Sequence, residues 1–306
     1  TFIHNETSTG VMSPLEEVAA LKRKYPDVMF IVDTVSSMTA VPLAFDALGI
    51  DVMLAGTQKA FALPPGLTVF VCSQAALEKA ATAPDRGYYF DFVEFQKNAE
   101  QNMTPSTPSI AHVFALSDKL DEMLAEGLEN RYARHRRTNQ MTRDWAAKHG
   151  FTLFPEPGFE SLTLTCINNG AKPGGRVVDV PKLQKLVKDR GFLIDGGYGK
   201  IKGTTFRISN MGNETPETMS QLFAAMDEAM RELDVVVAPT FAQNLLLITN
   251  LTGHPAVVVP SGFTDAGTPV SITFIGRLWG EAKALAAARA YQEATDFHTR
   301  RPPAFA

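Results

Sequence analysis

The chain has 306 residues, a formal net charge of −4 and 45% hydrophobic content, enough for a sizeable core and, at roughly 100–200 residues per domain, about two domains. The one basic block, RYARHRR at Arg131–Arg137, sits in a helical pattern as a solvated face, so nucleic acid is not expected as a partner. No apolar run reaches transmembrane length and no signal peptide is visible, so no membrane is expected; two cysteines in strand-like runs, Cys72 and Cys166, read as free buried thiols of a cytoplasmic protein.

From Thr1 to Val71 short apolar runs alternate with helical pattern: strand TFIH, helix PLEEVAALKRKY, strand VMFIVD, then DVMLAG and TVFVC. This predicts an α/β domain with a mostly parallel sheet, whose sites lie at the carboxyl ends of the strands. Residues 109–149 read as helical throughout, with no proline. A second α/β portion follows: strand SLTLTC, helix VPKLQKLVKDRG, the loop GGYGKIKG, strand TTFRIS and helix TPETMSQLFAAMDEAMREL. The glycine loop has the wrong spacing for a dinucleotide fingerprint, and no helix follows it. From Asp234 the texture changes to strands DVVVAPT, NLTGHPAVVVPSGF and PVSITFIGR and the helix EAKALAAARAYQEATDF, with no linker ahead of them. The expected domains are 1–108, 109–233 and 234–306.

Lys59, in GTQKAFALPPGL, is the only charged residue from Val52 to Val71. A lysine so isolated fits a reactive amine better than a solvated helix face. Pyridoxal phosphate chemistry needs such an amine, a carboxylate facing the pyridine nitrogen, polar groups for the ring hydroxyl and phosphate, and a guanidinium for the substrate carboxylate. VDTVSS places Asp33 at a strand end, TQK sets Gln58 beside Lys59, HNETSTG offers Ser8, and FRISNMG carries Arg207. Singly, each has an ordinary structural reading as a turn, cap or surface-pair residue.

Together, HNETSTG, VDTVSS, GIDVMLAGTQKAFALPPGL, TPSTP and GYGKIKGTTFRISNMG occur in an order that resembles the class V pyridoxal-phosphate aminotransferases, in their alanine–glyoxylate and serine–pyruvate branch. The similarity covers roughly residues 1–231. It implies an incomplete fold type I large domain plus an α/β small domain, with the family's glycine-rich phosphate loop and stacking aromatic absent ahead of HNETSTG. It further implies Lys59 as the Schiff-base lysine, Asp33 as the pyridinium partner, Val35 on the ring face, Ser8 at the ring hydroxyl and Gln58 near ring or phosphate. Thr107 would reach the phosphate of the neighbouring subunit in a homodimer with a shared site, and Arg207 would bind the substrate carboxylate. The reaction implied is transamination between alanine or serine and a 2-oxo acid such as glyoxylate or pyruvate. Gln58, where desulfurases of this class carry histidine, speaks against desulfuration. No metal is expected.

Residues 234–303 carry a second resemblance, to the C-terminal end of amidase-signature hydrolases, through DVVVAPTF, NLTGHPAVVVPSGF and PVSITFIGRLWGEAKALAAARAYQEATDFHTRRPP. The serine–serine–lysine core of that family has no match here, so Ser261 and His254 read as scaffold. Two further expectations stand beside transamination: a fusion without catalysis, and an amidase-related hydrolase.

Overall fold

The computed structural model describes residues 1–240, 249 and 251–301. They form two compact units: residues 1–184 with 192–223, and residues 185–191 with 224–306.

The first unit is built on a four-stranded sheet of β1 (Phe2–Ile3), β4 (Ile31–Asp33), β5 (Val52–Gly56) and β6 (Thr68–Cys72), in that order. The pairs β1–β4 and β4–β5 are parallel and β5–β6 is antiparallel, so the sheet is mostly parallel as its alternation with helices requires. A short hairpin, β2 (Asn5–Glu6) with β3 (Val11–Met12), follows β1. Helix α1 (Leu15–Lys24) has Glu16 and Glu17 in its first turn and Lys22, Arg23 and Lys24 in its last, which complements its dipole. It buries Leu15 and Ala19 against Val32, Ile50 and Met53. The predicted strand VMFIVD shortens to three residues because the buried Asp51 carboxylate takes the Phe30 N–H at 2.7 Å and the Lys22 amine at 2.7 Å.

After the single-turn α2 (Phe45–Leu48), α3 (Gln74–Ala81) and α4 (Phe92–Ala99) come two long helices, α5 (Ile110–Glu126) and α6 (Leu128–Lys148). The single run expected over 109–149 is thus broken. Gly127 adopts φ +82°, a conformation open to glycine, and serves at once as the end of α5 and the start of α6.

β7 (Leu164–Asn168) and β8 (Thr205–Ser209) form a separate antiparallel pair. The strand expected at SLTLTC starts later than the pattern suggests, since the Ser161 hydroxyl caps the N–H groups of Thr163 and Leu164 in a local turn. Helix α7 (Val180–Lys188) lies between them in sequence, and α8 (Pro216–Asp234) opens with proline at its first position behind Thr215, whose hydroxyl accepts the Thr218 N–H. Within this unit Asn210 fastens the end of β8 to α6, donating to the His135 carbonyl at 3.0 Å and the Thr138 hydroxyl at 3.1 Å.

The second unit contains an antiparallel sheet of β10 (Ala256–Phe263), β11 (Pro269–Gly276) and β9 (Val235–Pro239), in that order, followed by α9 (Glu281–Ala294). β9, β11 and α9 fall within the runs expected for them, whereas β10 begins only at Ala256, since Leu251 and Thr252 of the expected strand are helical; β9 starts immediately after α8. Val259, Phe274 and Ala288 form its small core, joined by Val257, Ile272 and Tyr291. Ser261 on β10 makes no side-chain hydrogen bond among the described residues, and His254 shares one with Thr252 at 2.6 Å. Part of NLTGHPAVVVPSGF and the final residues of the tail motif lie outside the described residues. Among those described, no helix is long and apolar enough to cross a membrane.

Candidate active site

Asp33 is the last residue of β4, and Lys59 stands three residues beyond the end of β5. These are neighbouring parallel strands, so both residues leave the same carboxyl edge of the sheet. The turn bearing Lys59 is tightly knitted. The Thr57 hydroxyl donates to the Pro64 carbonyl at 2.9 Å, Ala62 N–H donates to the Lys59 carbonyl at 3.0 Å, and Leu63 N–H donates to the Thr57 carbonyl at 3.0 Å. Asp33 Oδ1 accepts the Val35 N–H at 2.9 Å.

Arg131 of α6 holds these two loops together. Its side chain is fully buried, Nε donates to the Thr39 carbonyl at 3.0 Å, and Nη2 donates to the Ala60 carbonyl at 2.6 Å. Nη1 meets the Glu126 carboxylate at 3.3 Å, which is also gripped by Arg134 at 2.6 and 3.0 Å. Burial, and then the nearby Arg134 charge, pull the Arg131 guanidinium below its ordinary range, whereas the hydrogen bond from Arg134 is the first of the effects that lower Glu126.

The segments HNETSTG and VDTVSS are joined by buried polar contacts. Asn5 Nδ2 donates to the Ser36 hydroxyl at 3.0 Å and to the Thr163 hydroxyl at 2.8 Å, while the Ser36 hydroxyl donates to the Asn5 carbonyl at 2.8 Å. His4 Nδ1 lies 2.9 Å from the Ser37 hydroxyl. Burial lowers the His4 pKa to about 4, so it is a neutral structural residue near pH 7.

A cavity of about 530 Å³ opens on this edge, walled by Thr7, Gln58, Lys59, Asp195, Arg207 and Met211 among others. The Lys59 amine forms no hydrogen bond or ion pair among the described residues. Arg207, on β8, is largely buried and reaches the cavity between two acceptors. Nη1 donates to the Thr7 carbonyl at 2.6 Å, and Nη2 pairs with the Asp195 carboxylate at 2.6 Å. Its Nε is buried and has no hydrogen-bond partner. An isolated amine and an arginine with spare donors in one cavity can hold an aldehyde and a carboxylate side by side.

Of the residues singled out from sequence, Gln58, Lys59 and Arg207 line this cavity. Asp33, Ser8 and Val35 stand on the adjoining loops and are not part of its wall. Ser8 sits in the β2–β3 turn, where its N–H donates to Glu6 Oε1 at 2.8 Å and its carbonyl faces the Cys166 thiol at 3.9 Å. Cys166 is fully buried, which pushes its pKa up to about 11, and both cysteines are unpaired. Thr107 is exposed and lines a different, apolar cavity with Phe70, Tyr89, Phe92 and Phe95. Asp195, the Thr7 carbonyl and Arg131 escape the sequence reading. Asp195 had a signal, an acid ending the apolar run GFLI; Arg131 had none, since its basic neighbours make it look solvated.

The family model for aminotransferase class-V matches residues 1–193. An uncharacterized aminotransferase of Methanocaldococcus jannaschii is 34% identical, over 76% of this chain and 60% of that protein. A serine–glyoxylate aminotransferase of Arabidopsis thaliana is 31% identical, over 85% of this chain and 64% of that protein. Among solved structures, an alanine–glyoxylate aminotransferase from Nostoc sp. superposes with a TM-score of 0.67 at 29% identity, covering 74% of this chain and 60% of that one. The chain spans about three fifths of the length of the curated relatives it matches.

Proposed function

This chain belongs to the class V aminotransferases, and we propose that it moves an amino group between a small amino acid, alanine or serine, and a 2-oxo acid such as glyoxylate or pyruvate. The observation that carries the reading is the meeting of the Lys59 amine and the Arg207 guanidinium in one cavity. The names of the relatives in Arabidopsis and Nostoc support glyoxylate as the acceptor.

The cofactor in this reading is pyridoxal phosphate, and the residues present fit it. The Lys59 amine is without a partner among the described residues, Arg207 Nε is a buried donor with nothing to bond, and the cavity lies within the roughly 300–1,000 Å³ usual for small-molecule sites. When bound, the cofactor supplies an aldehyde for covalent attachment and a ring that withdraws electrons from the substrate Cα. Lys59 would hold it covalently, Asp33 would face the ring nitrogen, Ser8 the ring hydroxyl, Gln58 the ring or phosphate, and Val35 the ring face. The Lys59 amine would serve as the base that removes the substrate Cα proton and as the acid that returns it. Arg207 orients the substrate carboxylate, so that the Cα–H presents to that amine.

Thr107 lies away from its own chain's cavity, which suits a role at a neighbouring subunit's phosphate in a homodimer. The exposed Tyr88, Tyr89 and Phe90 close by in sequence suit an interface there. Unpaired cysteines suit a reducing, cytoplasmic setting. In the same reading the amidase-like tail is scaffold and carries no hydrolase chemistry.

The test is borohydride reduction of the protein with pyridoxal phosphate, for wild type and Lys59→Ala, followed by peptide mapping and an alanine–glyoxylate transaminase assay. Label on Lys59, lost in the variant, together with turnover, is expected. Label spread over surface lysines in both proteins would reject the assignment.

A further inference from the structure

We infer that Asp195 is a built-in rival of the substrate: its carboxylate holds Arg207 and gives way to the carboxylate of the ligand. The inference rests on the reading of Arg207 as the carboxylate-binding residue.

Asp195 faces Arg207 of β8 through an isolated antiparallel bridge. Arg207 N–H donates to the Asp195 carbonyl at 2.8 Å and Asp195 N–H returns a bond to the Arg207 carbonyl at 3.1 Å, which puts both side chains on one face. Both line the cavity, and the Asp195 carboxylate meets Arg207 Nη2 at 2.6 Å. The two partners are unequal. The Arg207 side chain is 13% exposed and is anchored by the Thr7 carbonyl, whereas the Asp195 side chain is 53% exposed and can turn to water. Its other oxygen accepts the Gly197 N–H at 2.9 Å, an anchor that lies on the loop rather than in the cavity.

A carboxylate offered to Arg207 therefore arrives at a charge that is already neutralised. The guanidinium is not saturated by the chain, since buried Nε lacks a partner and each terminal nitrogen has a second hydrogen. A part-exposed pair of this kind favours the closed form by about two- to fivefold. The apparent affinity for a carboxylate falls by the same factor, because only the open form receives it.

The experiment is calorimetric titration of pyruvate into wild type, Asp195→Asn and Arg207→Ala, with and without pyridoxal phosphate. Asparagine keeps the acceptor for the Gly197 N–H, and thermal unfolding confirms that the variant is folded. Asp195→Asn should bind pyruvate about two- to fivefold more tightly than wild type, and Arg207→Ala should not bind it. Affinity in Asp195→Asn that is unchanged, weaker or absent overturns the proposal and makes Asp195 a support for Arg207 instead. Lysine labelling by borohydride reads the transaminase assignment separately, because it reports on Lys59 and not on the arginine.

Discussion

Replacing Arg131 with methionine tests whether one buried side chain fastens the two loops that carry Asp33 and Lys59. Methionine fills much of the same volume, so the loss is chiefly polar. It strips the Thr39 and Ala60 carbonyls of the donors that reach them at 3.0 and 2.6 Å, inside a region where the guanidinium itself is 1% exposed. Each buried acceptor left without its charged donor costs about 1–3 kcal/mol. Glu126 keeps its two bonds to Arg134, so that end adds little. The sum is about 2–6 kcal/mol, a large share of the roughly 5–15 kcal/mol that holds a domain folded. At about 2–4 °C per kcal/mol for a unit of this size, the melting temperature should fall by roughly 10 °C. Arg131→Lys should fall nearly as far, because one ammonium cannot span both carbonyls and the carboxylate. Pyridoxal phosphate affinity, read by fluorescence titration of the folded variant, should weaken too. A melting temperature within about 2 °C of wild type would refute the reasoning, since two bare buried carbonyls cannot be that cheap.

Acid should weaken the fold early. Burial holds His4 and His135 neutral, each with a pKa lowered to about 4, against about 6.5 in the unfolded chain. The unfolded state takes up protons first as pH falls, so stability drops between about pH 6.5 and 4, by up to ~3 kcal/mol for each imidazole. A melting temperature that stays flat from pH 6.5 to 5 would mean that both rings charge within the fold. Gly212→Ala should disturb the lysine loop, because Gly212 adopts φ +79° and an added Cβ would stand 2.7 Å from the Ala62 Cβ. We expect a loss of about 2–4 kcal/mol and slower borohydride labelling of Lys59; an unchanged melting curve would show that the Ala62 turn yields freely.

Most strands and helices that form by local rules were legible in the sequence; in the tail DVVVAPT, PVSITFIGR and the alanine-rich helix fall at their expected places, while β10 starts later than its run. The break at Gly127 was not. A glycine inside a strong helical pattern is compatible with continuation, and only its positive φ decides otherwise. Strand edges slipped wherever a side chain took over a backbone partner, as the Asp51 carboxylate and the Ser161 hydroxyl do. At the site, Lys59 was legible because a charge without neighbours is anomalous in one dimension. Arg131 was hidden for the opposite reason: its basic neighbours suggest solvent, and its partners lie 92 and 71 residues away in sequence. Asp195 was passed over because its meaning depends on the strand across from it.

Thr7 and Arg207, which share a hydrogen bond at the cavity wall, stand 200 residues apart along the chain. A ribosome working at about 5–20 residues per second makes the arginine roughly 10–40 seconds after the threonine. During that interval β4, β5 and the turn after them can already present Lys59, while the strand that brings Arg207 to the cavity has not been synthesised. The nascent chain thus carries the lysine side of the cavity well before the arginine side, which arrives with β8.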